Sequence, residues 1–189
     1  MPFALLLCSL NLSAQEWNHS FGATIAVLTG KIEEAGAKSN FAMSQTLITW
    51  FPRYNLTEGT NSSLSVGMLP ALGFGIARNT YDSDAGISFA YDIPVVIDYN
   101  FGAKSFRDNE NTFGGYAGLG FGYHKVQISK SRHSDYNGAS YGPLARLGAR
   151  FTSSSESWAG HGLTVGLYYK MGIEKDKLKA FGFNVLFDL

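Results

Sequence analysis

The stretch ISFAYDIPVVIDYNF, residues 87–101, alternates between two kinds of side chain over its whole length. Odd-numbered positions carry bulky apolar or aromatic residues, from Ile87 to Phe101, and even-numbered positions carry mostly smaller or polar residues, including Asp92 and Asp98. A period of two places the two sets on opposite faces of a β-strand. The stretch is longer than a usual strand of roughly 5–6 residues, and it suffices for the roughly 9–11 residues of a tilted membrane-spanning strand.

Seven other segments alternate in the same way and complete a set of eight predicted strands. They lie at about His19–Thr29, Phe41–Leu56, Ser63–Ile76, Gly114–His124, Tyr141–Phe151, Gly162–Met171 and Ala180–Leu189. The segment at 41–56 is apolar on both faces around residues 47–51, so the pattern leaves its register open.

The connections between these segments are short and polar, as expected for hairpins. We predict them at about Lys31–Asn40, Thr57–Asn61, Arg78–Gly86, Ala103–Thr112, Lys130–Gly138, Ser153–Gly160 and Glu174–Lys177, with turns at Glu58-Gly59 and Asn137-Gly138. An even number of strands with such connections predicts an all-β fold, a closed eight-stranded antiparallel up-and-down β-barrel over residues 16–189.

Residues 1–15 have the composition of a secretory signal peptide. An apolar run from Phe3 to Leu10 is followed by the small residues Ser13 and Ala14. The only cysteine, Cys8, lies in this run, so we expect neither a disulfide nor a cysteine-based zinc site in the barrel. After the run, no apolar stretch approaches the roughly 20 residues of a membrane helix, which leaves a closed barrel as the membrane-spanning option.

Charged residues within the predicted strands share one face, the face that carries the small side chains. They are Asp92, Asp98, Arg146, Arg150, Lys170 and Asp188. An Arg or Lys at mid-depth on a lipid-facing surface costs roughly 2–4 kcal/mol, and an eight-stranded barrel has a lumen that only side chains can fill. We therefore predict a transmembrane barrel with bulky apolar residues outward and these six residues in a polar network inside the lumen, where their charges balance.

Aromatic residues of the outward face fall into two predicted girdles, as expected at the two membrane interfaces. With the N-terminus on the periplasmic side, Phe74, Phe89, Tyr91, Tyr123, Tyr141, Tyr169 and Phe181 lie near the outer rim, and Trp50, Tyr54, Tyr99, Phe101, Phe113, Phe151 and Phe187 lie near the inner rim. A soluble lipocalin-like barrel, which would turn the apolar face inward around an apolar ligand, remains an alternative.

Three stretches give the chain a resemblance to a known family. They are the strand YDIPVVIDY at 91–99, the strand GLGFGY at 118–123 and the ending FGFNVLFDL at 181–189. In these the chain resembles the eight-stranded outer-membrane β-barrels of Gram-negative bacteria, of the OmpA transmembrane-domain and OmpX type. The resemblance implies an integral outer-membrane location, contact with outer-membrane lipid and lipopolysaccharide, and recognition of the last strand by the barrel-assembly machinery. The ending departs from that family in closing on Leu189 rather than phenylalanine.

Residues that could support chemistry are scattered. The four histidines, His19, His124, His133 and His161, show no metal-ligand spacing. His124 and His133 are placed near the outer end of one strand and in the following loop, with Ser131, Ser134 and Asp135 nearby. An outer-membrane acyltransferase or deacylase acting on lipid is therefore an alternative function.

The leading hypothesis is a non-enzymatic integral outer-membrane protein with a side-chain-filled lumen and no cofactor. It would contribute to the structure of the envelope, or it would present its extracellular loops for adhesion or for binding a partner. The candidate loops are Lys31–Asn40, Arg78–Gly86 and Lys130–Gly138. Because 15 basic and 15 acidic residues balance, the sequence does not favour nucleic acid as a partner.

Overall fold

The computed structural model describes residues 17–34, 37–79, 85–106, 109–129, 136–152, 161–174 and 178–189. Within these ranges the chain forms nine β-strands. They are β1 (Trp17–Glu34), β2 (Ala37–Glu58), β3 (Ser62–Met68), β4 (Ala71–Asn79), β5 (Ala85–Gly102), β6 (Phe113–Ser129), β7 (Tyr136–Thr152), β8 (Gly162–Met171) and β9 (Lys179–Asp188). No helix in this part of the chain is long and apolar enough to cross a membrane.

The sheet closes on itself. All pairings are antiparallel: strands adjacent in chain order pair with one another, except that β3 and β4 each pair with β2 and β5, and β1 also pairs with β9 from Ser20 opposite Asp188 to Thr29 opposite Lys179. Both β3 and β4 lie between β2 and β5, so the nine described strands occupy eight positions around the ring. This confirms the predicted all-β, antiparallel, up-and-down, eight-stranded barrel.

One predicted strand is divided in two at Leu69 and Pro70. Proline has no N–H to donate to a neighbouring strand. Pairing nevertheless continues across the junction, because the Leu69 N–H donates to the Pro94 carbonyl at 2.9 Å and the Trp50 N–H donates to the Pro70 carbonyl at 3.1 Å. The division is therefore a local gap in the hydrogen-bond ladder, and the barrel wall remains closed at this position.

Exposure alternates along most of each strand where side chains are described, apart from short buried runs at 51–53 and 114–116, and the bulky apolar face points outward. Ile87 is 72% exposed and Leu119 is 71% exposed, whereas the neighbouring Ser88 is fully buried. The same alternation fixes the register that the sequence left open in β2, since Ile48 and Trp50 are exposed and the residues on either side of them are buried. A soluble lipocalin-like barrel does not fit this arrangement, because its apolar residues would face the interior.

We call the rim that holds Trp17 and Leu189 the lower rim and the opposite one the upper rim. Aromatic pairs on the outer surface lie towards both. Near the upper rim the ring centroids of Phe74 and Phe89 are 5.4 Å apart, and those of Tyr91 and Tyr123 are 6.1 Å apart. Near the lower rim the pairs are Phe113 with Phe151 at 5.5 Å, Trp17 with Tyr54 at 5.3 Å and His19 with Trp50 at 5.9 Å. The outer surface thus has an apolar band between two aromatic zones.

Several connections predicted from the sequence are wrong because the strands extend into them. Residues 31–34 and 37–40, predicted as a loop, continue β1 and β2, with Lys31 opposite Asn40. The predicted Asn137-Gly138 turn lies inside β7, where Asn137 pairs with Gln127 and Gly138 with Val126. The long hairpins satisfy their backbone hydrogen bonds from strand to strand, so polar segments remain extended without any apolar alternation that would reveal them.

The predicted signal peptide lies outside the described residues, which begin at Trp17, and it stays a prediction. Most of the predicted connections at Arg78–Gly86, Lys130–Gly138 and Ser153–Gly160 also lie outside them, although Arg78, Asn79, Ala85 and Gly86 belong to β4 and β5. The predicted Glu58-Gly59 turn is present at the lower rim, where the Gly59 N–H donates to the Ser62 carbonyl at 2.7 Å.

Candidate functional site

The lumen is filled by large side chains that lie across glycines of neighbouring strands. The Tyr116 ring and hydroxyl lie against Gly148 and Gly166, and the Tyr168 ring lies against Gly182, so that a methyl group added at either Gly166 or Gly182 would overlap the tyrosine. Phe51 lies against Gly67 in the same way. The glycines of the inner face therefore provide the volume into which bulky residues of other strands fit, and few voids are left.

This packing predicts a steric overlap between a side chain introduced at position 166 and Tyr116. We expect Gly166→Ala to destabilise the barrel by about 1–3 kcal/mol, because the added methyl group would overlap the Tyr116 hydroxyl in a packed interior. Combining it with Tyr116→Phe, which removes that hydroxyl, should recover part of the loss. Urea unfolding of the two single variants and the double variant measures the coupling, and strictly additive effects would contradict the predicted overlap.

All six residues predicted for the polar network point into the lumen, and the structure distributes them over three levels. Near the upper end, Lys170 Nζ donates a hydrogen bond of 3.2 Å to Asp92 Oδ1, which joins β8 to β5 across the lumen. His124 Nδ1 lies 3.6 Å from the same carboxylate oxygen. Asp92 thus has two nitrogen neighbours, Lys170 of the predicted network and His124, which the network did not include.

At mid-height, Arg146 extends from β7 towards Asp98 on β5. Its Nε lies 3.7 Å from Asp98 Oδ1, which is an ion-pair distance and too long for a hydrogen bond. The guanidinium carbon lies 4.4 Å from the centre of the Tyr116 ring and 4.6 Å from the centre of the Phe51 ring, so cation–π contacts hold it on both sides. Asp98 is completely buried, and Arg146 is the cation beside it.

Near the lower end, Asp188 and Arg150 are bound by neutral groups rather than by one another. Asp188 accepts hydrogen bonds from the Ser20 hydroxyl at 2.5 Å and the Thr164 hydroxyl at 2.7 Å. Arg150 Nη1 donates to the amide oxygen of Asn100 at 2.8 Å. Of the six residues predicted, the structure therefore brings together two ion pairs and leaves Asp188 and Arg150 with polar partners of their own.

The connection between β5 and β6 turns back into the barrel and closes its lower end. Gly102 and Lys104 have φ angles of 67° and 56°, the left-handed backbone that allows the tight reversal. Arg53 Nη2 donates to the Lys104 carbonyl, and the Ser63 hydroxyl donates to the Ser105 carbonyl at 2.5 Å. We call residues 102–106 the plug, since their backbone occupies the lower mouth of the lumen.

Four polar residues beyond the six predicted belong to this interior, Arg53, Asn100, Lys104 and His124. The period of two places Asn100 and His124 on the predicted inner face, whereas Arg53 and Lys104 were missed. The six predicted residues balance in charge, but with Arg53 and Lys104 the buried side chains of the described ranges comprise five basic groups against three carboxylates. The strand period could have found Arg53 if the register of β2 had been known, because it follows Leu47, Thr49 and Phe51 on the inner face.

His124 lies in the upper part of β6, and its side chain points into the lumen rather than to a surface at the rim. It is 2% exposed and lies opposite Ser140, which is completely buried. Within the described part of the chain, neither His124 Nε2 nor Ser140 Oγ has a hydrogen-bond partner, and Asp92 lies on the other side of the imidazole. These are the residue types of a serine-hydrolase triad, but their burial leaves no surface on which a lipid could bind.

His133, Ser131, Ser134 and Asp135, the other residues of the enzymatic hypothesis, lie outside the described residues. Among the residues that the structure does describe, no group of three or more His, Cys, Asp or Glu side chains is placed to hold a metal ion. His19 and His161 are exposed near the lower rim, where His19 stacks on Trp50.

The fold defines a class of protein. An exterior band of apolar side chains, a lumen of packed polar and aromatic residues and a ring of eight antiparallel strand positions together are the architecture of the small outer-membrane β-barrels.

Comparison with known proteins agrees at the level of the fold. No protein-family model matches the chain, and no curated protein matches its sequence. The chain is similar to the outer membrane protein OprG from Pseudomonas aeruginosa, with a TM-score of 0.58 and 11% identity over 93% of this chain and 96% of that one. It is also similar to Neisserial surface protein A, with a TM-score of 0.50 and 13% identity over 94% of this chain and 99% of that one.

Proposed function

We propose that the protein is an integral outer-membrane β-barrel that acts without enzymatic chemistry, as a structural element of the envelope or as a scaffold that presents its upper rim to partners. The exposed apolar band supports this most directly. Leu119, Leu147 and Phe74, on three different strands, are each more than 60% exposed. A water-exposed surface of this kind would aggregate, whereas a lipid bilayer solvates it.

The filled lumen supports a role other than transport. Near the upper rim it is occupied by apolar side chains, at mid-height by Arg146 and the rings around it, and at the lower mouth by the plug. The upper group comprises Leu28, Met43, Val126, Ile128 and Leu178. An eight-stranded barrel has room for side chains and none for an open pore, so we expect no channel activity.

The upper rim supports a binding role, because two hairpins project there. The pairing of β1 with β9 stops at Thr29, whereas residues 30–34 of β1 continue to pair with β2 above that level. Strands β6 and β7 likewise remain paired up to Ile128 and Tyr136. We propose that these hairpins and the connections beyond them form the surface on which a partner binds.

Lipid and the assembly machinery are the other proposed contacts. The outward residues Phe181, Phe183 and Phe187 of β9 form an apolar row with Leu189, which follows the strand. This row supports contact with outer-membrane lipid, and the strand that carries it is the one proposed for recognition by the barrel-assembly machinery. The aromatic zone near the upper rim would lie beside the lipopolysaccharide leaflet.

The proposal predicts that the protein is recovered with the outer-membrane fraction and that it does not conduct ions. The full-length protein, produced in a Gram-negative host, should be found with outer membranes and should migrate differently on gels before and after heating, since a folded barrel resists detergent. Reconstituted in planar bilayers, it should give no stepwise conductance. Recovery as a soluble monomer without detergent would refute the membrane assignment, and stable conductance steps would refute the sealed lumen.

The enzymatic alternative has one specific observation in its favour, the arrangement of Asp92, His124 and Ser140. Because these side chains are buried, we expect that combining His124→Gln with Ser140→Ala will leave the lipid A profile of an expressing strain unchanged. Mass spectrometry of lipid A from strains carrying the wild type, the double variant and an empty vector measures this. A lipid A species that appears with the wild type and disappears with the double variant would establish an enzyme.

A further inference from the structure

A small cavity lies inside the barrel at mid-height, between the apolar residues above and the plug below. Its volume is about 20 Å³. Its polar lining consists of Thr24, Thr49, Asp92, Arg146, Tyr168 and Asn184, which come from strands on opposite sides of the lumen. A water molecule requires roughly 10–15 Å³ of such space and 2–4 polar partners, so the cavity has room for one.

Two of these lining residues carry polar atoms that have no hydrogen-bond partner among the residues that the structure describes. They are all three guanidinium nitrogens of Arg146 and the side-chain oxygen of Asn184, and all four atoms are buried. The two residues are less than 5% exposed. Buried polar atoms are almost always hydrogen-bonded to protein or to ordered water, and an arginine left without any acceptor is especially costly.

The chemistry of the lining selects the ligand. A cation would face the guanidinium group of Arg146, and an anion would face the carboxylate of Asp92 and the amide oxygen of Asn184. Water is neutral and can both accept and donate. We propose that the cavity binds one structural water molecule, which accepts a hydrogen bond from Arg146 and donates to Asn184 Oδ1 and to the Asp92 carboxylate.

This water gives Arg146 an acceptor that Asp98 does not supply, since the Arg146 Nε to Asp98 Oδ1 distance is 3.7 Å. It also links three strands, β5, β7 and β9, through one site. The apolar residues lie above the site and the plug lies below it, so the water belongs to the packing of the lumen.

A crystal structure of the full barrel at a resolution that shows ordered water, grown in sodium bromide, tests the proposal. We expect a single peak in the cavity, within hydrogen-bond distance of Arg146 and Asn184, with no anomalous signal from bromide. An anomalous peak there would replace water by an anion and overturn the proposal. A cavity without density, or one closed by direct contact between Arg146 and Asn184, would also overturn it.

Two variants test whether the water depends on the assigned partners or on the polarity of the lumen as a whole. Asn184→Leu removes the acceptor at nearly the same volume, and we expect loss of the peak. Thr164→Val removes a polar group that binds Asp188 at the lower end, away from the cavity, and the peak should remain. Persistence of the peak in the first variant or its loss in the second would contradict the assigned partners. If the first variant does not fold, the wild-type structure decides.

Discussion

Leu119→Arg is expected to lower the free energy of unfolding from a lipid bilayer by about 2–4 kcal/mol, the cost of an arginine on the lipid face near mid-depth. Leu119 is suited to this test because it points outward, is 71% exposed and lies midway along β6. No inward packing is altered by the change. The loss would therefore report the surroundings of the outer surface rather than the packing of the interior.

The matched control lies eight positions further along the same strand and the same face. Gln127 is exposed and pairs with Phe89, in the aromatic zone near the upper rim. Because the cost of arginine falls to roughly 0–1 kcal/mol near the interfaces, Gln127→Arg should have little effect. Urea unfolding of both variants from vesicles provides the comparison. Equal, small effects at the two positions would mean that no apolar medium surrounds β6.

Arg146→Met, a change on the inner face of the barrel, is expected to lower the free energy of unfolding by a similar or larger amount. It removes the cation next to Asp98, and breaking a buried ion pair by removing one partner costs about 3–5 kcal/mol, since the other charge remains buried. It also removes the contacts between the guanidinium group and the rings of Phe51 and Tyr116. Unfolding in the same vesicles, or failure to refold into them, measures the effect.

The double variant distinguishes a buried charge from lost packing. Adding Asp98→Asn to Arg146→Met removes the uncompensated carboxylate at almost unchanged volume, and most of the lost stability should return. If the double variant is as unstable as Arg146→Met alone, the cation–π contacts rather than the ion pair account for the role of Arg146.

The period of two predicted the barrel and the sidedness of the six charged residues, because lipid and a narrow lumen select opposite residue types on alternate positions. It did not predict how far the strands extend. Residues 31–34 and 37–40 are mostly polar and show no apolar alternation, and their extension depends on hairpin hydrogen bonds that leave no pattern in the sequence.

The contents of the lumen were only partly predictable. The period of two places Tyr116 and Tyr168 on the inner face, but the sequence analysis expected small side chains there and did not predict two tyrosines in the lumen. They fit only because Gly166 and Gly182 lie opposite on other strands, a match of sizes that depends on the register between strands. The plug was unpredictable for a related reason, since its carbonyls meet Arg53 from the strand whose register was open.

The central claim is that bulky residues face lipid and charged ones face the axis, and tryptophan fluorescence in brominated lipid tests it most directly. In a variant with Trp17, Trp50 and Trp158 replaced by phenylalanine, a single tryptophan is introduced as Phe121→Trp, on the outer face, or as Phe51→Trp, in the lumen. Both proteins should migrate as folded barrels. The account predicts strong quenching at position 121 and little at position 51; equal quenching at both, or the reverse order, would contradict it.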